Sequence, residues 1–187
     1  MNIYNYLHNT LGYSQYEIKQ IRYTVVSVLS ELSKLFLMGI FFFVTKEFLL
    51  YLFAITILLF LRTCTGGLHC KHYFSCLILS FFIIYLSTNI LPNIHLQKPL
   101  YFIGLLLCVI VNYLLAPIVS CYHPLPNKIQ IQKSKRQSFI IIIIYAGAIF
   151  VIPTNLYITT GFWIIMLQSF QLILAKKLGR RGKYETH

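Results

Sequence analysis

Apolar stretches of roughly membrane-spanning length recur along the chain, and they constrain its fold more than any other feature. They cover residues 48–61, 72–90, 100–119, 139–152 and 156–175. Hydrophobic residues make up 58% of the 187 positions, compared with roughly 45–50% in soluble globular proteins. A soluble chain could not cover this much apolar side chain with polar surface. The sequence therefore predicts an all-α, polytopic integral membrane protein.

The predicted architecture is one membrane-embedded domain over residues 1–187, with about six transmembrane or partly inserted helices. Polar breaks separate the spans at 46–47, at 91–93, in a basic loop over 120–138 and at 153–155. The 48–61 stretch is short, because a full crossing takes about 20 residues. Four spans with two re-entrant segments are therefore an alternative to six.

The N-terminal part predicts an interfacial segment followed by an amphipathic helix. Residues 1–13 mix polar and aromatic side chains, as segments lying in a membrane interface do. Ser14 and Glu17 have the spacing of a capping box, which predicts a helix that begins near Ser14 and reaches Phe43.

A polar stripe runs along one face of this first helix. Its members follow a three-four spacing: Glu17, Gln20, Thr24, Ser27, Glu31 and Lys34. One interpretation is the wet side of a tilted helix. The other is that the stripe lines a working cavity, where Ser27, Glu31 and Lys34 would face a substrate.

The cations are distributed unevenly between the two sides of the predicted bundle. If six spans alternate, one side carries 13 of the 16 lysines and arginines, namely Lys19, Arg22, Arg62, Lys71, Lys128, Lys133, Lys135, Arg136, Lys176, Lys177, Arg180, Arg181 and Lys183. By the positive-inside rule this side is cytosolic, with both termini and the 62–76 stretch. The same rule explains the net charge of +12, so we expect a lipid bilayer and no nucleic acid as partner.

Carboxylates are too scarce for several classes of membrane enzyme. The chain has no Asp and only four Glu, which excludes an intramembrane aspartyl protease and disfavours a carboxylate-built metal site. The sequence motifs of zinc metalloproteases, P-loop nucleotide-binding proteins and serine hydrolases are also absent from it.

The stretch 62–76, RTCTGGLHCKHYFSC, concentrates the reactive side chains. Cys64, Cys70 and Cys76 are candidate nucleophiles, and His69 and His72 are candidate bases, since a thiol needs a base to ionise near neutral pH. In one straight helix His69 and Cys76 would lie about 10 Å apart along the axis. His72 could reach Cys76 directly, four residues away, so spacing alone mildly favours His72.

The spacing R-x3-GG-x-H-x6-C, formed by Arg62, Gly66, Gly67, His69 and Cys76, resembles the signature of the accessory gene regulator B peptidases. These are bacterial quorum-sensing enzymes of the inner membrane. Ala116-Pro117 and Asn127-Lys128 are similar to that family too, and the likeness in size and layout covers most of the chain.

The resemblance implies that His69 and Cys76 are the catalytic pair of a cysteine endopeptidase. Its substrate would be a short amphipathic precursor peptide, cut near its C-terminal end and held as a thioester. An internal thiol or hydroxyl would then close a thiolactone or lactone ring. No cofactor or metal is implied. For His69 to reach Cys76, we expect a helix break within 64–71, enabled by Gly66 and Gly67.

Supporting roles near the pair follow from residue chemistry. Arg62 could bind a precursor carboxylate or a developing oxyanion, or it could anchor a helix end at the lipid headgroups. Gly66 and Gly67 permit a turn, and their amides could donate to an oxyanion.

Other interpretations of these residues stay open. His69, His72 and Cys76, with Cys64 or Cys70, could ligate zinc, although the spacing matches no usual zinc pattern. Cys121 and His123 could form a second reactive pair. A small transporter or peptide exporter is the rival function, although no repeat or broken midplane helix supports it. A structural membrane subunit is a further alternative, and a homodimer is compatible with the sequence.

Overall fold

The computed structural model describes residues 14–67, 73–94, 96–118 and 127–181. Within them the chain forms α1 (Gln15–Val44), α2 (Phe48–Thr65), α3 (Tyr73–Tyr85), α4 (Lys98–Leu115), α5 (Lys128–Val151) and α6 (Leu156–Arg181). A π-helical turn (Leu86–Ile90) and a 3-10 turn (Leu91–Asn93) continue α3. In these described parts, six helices are long and apolar enough to cross a membrane. The predicted all-α polytopic membrane protein is confirmed.

Helix α1 begins and ends close to its predicted limits. The Ser14 hydroxyl accepts a hydrogen bond from the Glu17 amide, and the Glu17 carboxylate accepts one from the Ser14 amide. This reciprocal capping box satisfies two amides that the first helical turn leaves unpaired. At the other end the chain turns at Thr45 and Lys46, and α2 starts at Phe48.

Helix α2 takes in residues 62–65 beyond the apolar stretch 48–61, and with 18 residues it is long enough to cross. Three predicted boundaries are wrong: the end of α4, the start of α5, and the end of α6, which continues past 175 to Arg181. Helix α4 ends at Leu115 rather than 119, because a residue before proline, here Ala116, is disfavoured in helical conformation. The predicted loop over 120–138 is helical from Lys128, where Asn127 and Gln130 form a second capping box.

Helix α6 is the central element, with most of its membrane-spanning length buried. It packs chiefly against α2 and α4. One apolar core cluster joins α6 to α2, α4 and α5 and includes Leu61, Tyr101, Ile142 and Phe162. A second, around Phe42, joins α1, α2 and α3 and also includes Ile164 of α6. Helix α1 therefore attaches to the bundle through its C-terminal half.

The C-terminal end of α2 and the basic start of α5 lie at the same end of the bundle. The Cys64 thiol of α2 lies 3.8 Å from the Gln137 side-chain oxygen of α5. Two residues earlier on α5, the Lys135 ammonium sits 4.8 Å from the centroid of the Tyr113 ring of α4. Arg62 and the cations at the start of α5 thus share one end, as the charge pattern predicted.

Close packing of α6 on α5 and α2 predicts that Gly161 tolerates no side chain. A Cβ there would collide with the Tyr145 hydroxyl and lie 2.8 Å from Ile57 Cδ1, whereas a Cβ at Gly147 would meet open space. Gly161→Ala should lower the free energy of unfolding by about 1–3 kcal/mol, and Gly147→Ala should not lower it. Thermal unfolding in detergent measures both, and equal stability of the two variants would contradict this packing.

Candidate functional site

Helix α2 ends at Gly66, as the double glycine predicted. Gly66 has φ 73°, a left-handed backbone conformation that glycine adopts without strain. Its amide donates to the Arg62 carbonyl at 2.9 Å, and the Ile118 amide donates to the Thr65 carbonyl at 2.9 Å. A Cβ at Gly66 would collide with the Ile118 carbonyl oxygen. One unbroken helix over 62–76 is therefore excluded, and the predicted break is confirmed.

A buried glutamine of α6 holds this turn from the other side. The Gln168 side-chain nitrogen donates to the Gly66 carbonyl at 2.9 Å and lies 3.3 Å from the Thr65 hydroxyl. Gln168 is fully buried. The sequence showed only a polar residue inside a span, which predicts an interhelical hydrogen bond without naming its partner. Helix α6 thus fixes the turn that precedes the candidate reactive residues.

Cys76 is the fourth residue of α3 as described, and its thiol contacts a lysine from α1. The Lys34 ammonium donates a hydrogen bond to the Cys76 Sγ atom at 3.2 Å. Lys34 is 3% exposed and Cys76 is 5% exposed. This contact joins two residues 42 positions apart, and no sequence spacing could have predicted it.

The Glu31 carboxylate lies between two cations. One of its oxygens accepts a hydrogen bond from Lys34 Nζ at 2.7 Å. The other lies 3.8 Å from a guanidinium nitrogen of Arg62, on α2. The Arg62 side chain also lies beside Gly67, where a Cβ would come 3.0 Å from its Nε atom. Polar contacts therefore connect Arg62 of α2, through Glu31 and Lys34 of α1, to Cys76 of α3.

A second polar contact joins α1 to α3 next to the thiol. The Ser33 and Tyr73 hydroxyls are 2.8 Å apart. The Lys34 ammonium lies 5.6 Å from the centroid of the Tyr73 ring, within the range of a cation–π interaction. Ser33 lies off the predicted stripe, and sequence reasoning missed both residues of this contact.

The polar stripe of α1 has an exposed N-terminal part and a part that lies near Cys76. Glu17 and Thr24 are exposed and Ser27 is half-buried, which agrees with the wet-face interpretation for the first turns. Glu31 and Lys34 lie at Cys76. Whether Ser27, Glu31 and Lys34 face a substrate stays a prediction.

The remaining predicted residues fall into two groups. Among the described ones, Cys64, Cys76 and Cys108 are free thiols, and Cys108 is buried in the core. The others lie outside the described residues: His69, Cys70, His72, Cys121 and His123. The choice of base, the second reactive pair and the zinc alternative, which needs His69 and His72, therefore stay untested.

The geometry of the turn predicts that Gly66 and Gly67 differ in their tolerance. Gly66→Ala should cost about 1–3 kcal/mol, because it forces a left-handed φ and a collision with backbone. Gly67→Ala should cost less, since it meets only the movable Arg62 side chain. Thermal unfolding in detergent compares the two. A Gly66→Ala protein as stable as the wild type would contradict the described turn.

Comparison with known proteins identifies the family. The sequence model of the accessory gene regulator B (AgrB) family matches residues 1–172. A curated protein of Clostridium beijerinckii, named "Putative AgrB-like protein", is 35% identical over 118 residues, which are 62% of this chain. The match spans 58% of that relative, and no solved structure matches the chain. Because the family model covers nearly the whole sequence, this chain belongs to the accessory gene regulator B family.

Proposed function

We propose that this protein is a membrane cysteine endopeptidase that processes a short quorum-sensing precursor peptide. Membership of the AgrB family supports this activity. The observation that carries it is the setting of Cys76: a free, buried thiol near the start of α3, with an ammonium 3.2 Å from its sulfur. Helix α2 ends at Thr65, and His69 lies in the sequence between that end and Cys76.

The proposed reaction transfers an acyl group twice. His69 accepts the thiol proton, and Cys76 Sγ attacks the carbonyl carbon of a bond near the C-terminal end of the precursor. The carbon–nitrogen bond breaks, the leaving amine takes the proton from His69, and a thioester forms. An internal thiol or hydroxyl of the peptide then attacks the thioester. Its proton passes to the base, the carbon–sulfur bond breaks, and a thiolactone or lactone ring is released.

The charged neighbours suit an acidic or developing negative group. In this proposal Arg62 binds a precursor carboxylate or the oxyanion of the tetrahedral intermediate, as a planar guanidinium does well. The amides of Gly66 and Gly67 are candidate additional donors. The Gly66 amide is engaged by the Arg62 carbonyl, which leaves Gly67 as the more suitable of the two.

The proposed setting is the bacterial cytoplasmic membrane, with both termini and the site on the cytosolic side. Support comes from the concentration of cations at one end of the bundle. Arg62 and the basic start of α5 lie at that end, whereas Lys46 and the N-terminus of α6 border one cleft at the other. The positive-inside rule makes the cation-rich end cytosolic.

The first functional prediction concerns the nucleophile. Cys76→Ala and Cys76→Ser should reduce precursor cleavage by about 10³-fold or more, because removing a covalent nucleophile leaves only residual catalysis. Cys64→Ser is a matched control, since Cys64 is also a buried free thiol at the same end of the bundle, and it should retain most activity. The measurement is mass spectrometry of cells that co-express an amphipathic precursor with an internal Cys or Ser. Full processing by Cys76→Ala would end the hypothesis.

The second functional prediction separates the two histidines. His69→Ala should lower processing by about 10²- to 10⁴-fold, the usual contribution of a general base. His72→Ala should stay within a few-fold of the wild type, although it is the nearer histidine in sequence. The same co-expression assay, at matched protein levels in the membrane, ranks the two variants. The reverse ranking would transfer the base to His72 and leave the peptidase function standing.

A further inference from the structure

We propose that Lys34 is a catalytic residue, whose ammonium stabilises the thiolate of Cys76. The inference rests on the proposed peptidase function for its biological meaning. Its physical claim concerns only the ionisation of one thiol, which can be measured without any peptide substrate.

The burial of Lys34 supports this role. Lysine is almost never fully buried unless it is paired, because removing an ammonium from water costs free energy that only opposite charge and hydrogen bonds recover. Lys34 is 3% exposed, in an apolar bundle. Its Nζ atom has two close acceptors, Glu31 Oε1 at 2.7 Å and Cys76 Sγ at 3.2 Å.

The local charges also favour a thiolate. Lys34 and Arg62 are both cations, and the Glu31 carboxylate lies within 4 Å of both. A thiolate at Cys76 adds a negative charge directly beside the Lys34 ammonium, an opposite-charge contact that a low-dielectric environment strengthens. Tyr73, another titratable side chain at the site, engages the Ser33 hydroxyl and presents its ring near the ammonium.

The chemistry of the sulfur acceptor also favours a thiolate. A neutral thiol is a weak hydrogen-bond acceptor, whereas a charged acceptor facing a charged donor forms a stronger bond. If the Lys34 ammonium needed only a partner for its charge, the Glu31 carboxylate one turn earlier on α1 would be sufficient. The ammonium instead lies within 3.2 Å of sulfur on another helix. Cys64 offers the contrast, since its thiol lies beside the neutral side chains of Gln137 and Thr63.

Lys34 would act at two points of the proposed reaction without exchanging a proton. Before attack it increases the ionised fraction of Cys76. In ring closure the carbon–sulfur bond breaks and Cys76 leaves as a thiolate, and a thiolate that is stabilised leaves faster. The Glu31 carboxylate offsets part of the positive charge of the Lys34 ammonium. The thiolate is therefore not stabilised so strongly that it loses nucleophilicity.

The test measures how fast iodoacetamide alkylates Cys76 in the purified full-length protein, by mass spectrometry of the fragment that carries it. In the wild type at pH 7, Cys76 should react at least tenfold faster than Cys64, although both are buried. Lys34→Met should slow the Cys76 reaction about ten- to thirtyfold, because an ordinary thiol with a pKa of about 8.5 is only a few per cent ionised there. The two proteins should converge near pH 9.5. Lys19→Met, an exposed lysine on the same helix, should change nothing.

The direction in which a charge-removing variant changes the alkylation rate distinguishes an electrostatic effect from a loss of structure. Glu31→Gln removes the negative charge beside Lys34, so the alkylation rate of Cys76 at pH 7 should stay equal or rise. A fall as large as that of Lys34→Met would overturn the inference. So would wild-type Cys76 reacting no faster than Cys64, a comparison that needs no variant and no folding control.

Processing assays distinguish a failure of the proposed peptidase function from a failure of the proposed role of Lys34. If Cys76→Ala abolishes processing while Lys34→Met leaves the alkylation of Cys76 unchanged, the peptidase stands and the role of Lys34 is wrong. If Cys76→Ala still processes the precursor, the proposed function is wrong. The alkylation rates then still decide whether Lys34 ionises the thiol.

Discussion

A lysine ammonium inside an apolar helix bundle needs negative charge beside it, and this constraint organises the site. Leaving such a buried charge without its partner costs about 3–5 kcal/mol, so the groups around Lys34 depend on one another. Glu31 supplies the near carboxylate and draws in Arg62 from α2, while Cys76 supplies the acceptor on α3. The same contacts therefore attach the outermost helix to the bundle and gather the charged groups around one sulfur.

The second requirement is a rigid support for the end of α2, which precedes Cys76 in the chain. Reactive groups work when neighbouring elements lock their positions. Here Gln168 holds the Gly66 carbonyl from the buried face of α6, and the Ile118 amide holds the Thr65 carbonyl from the segment after α4. The most buried helix thus fixes the end of α2. The buried Gln168 of α6 therefore has a positioning role at the end of α2.

Much of the frame could be predicted from the sequence, because it depends on local signals. The capping box at Ser14, the breaks near Lys46 and Pro92, and the turn at Gly66 are each determined by neighbouring residues. The helical start of α5 was missed because its charges looked like a loop, although the capping pattern at Asn127 was readable. The contact of Lys34 with Cys76 was beyond reach: spacing shows that polar residues share a face, but not which helix that face meets.

The central claim is a covalent thioester on Cys76, and one measurement addresses it directly. A precursor whose internal Cys or Ser is replaced by Ala cannot close its ring, so the acyl-enzyme should accumulate. Intact mass spectrometry should then show the protein heavier by the mass of the N-terminal precursor fragment minus one water. Hydroxylamine should release this adduct, and fragmentation should place it on Cys76. Cleavage of the peptide with no adduct, or an adduct on another residue, would contradict the account.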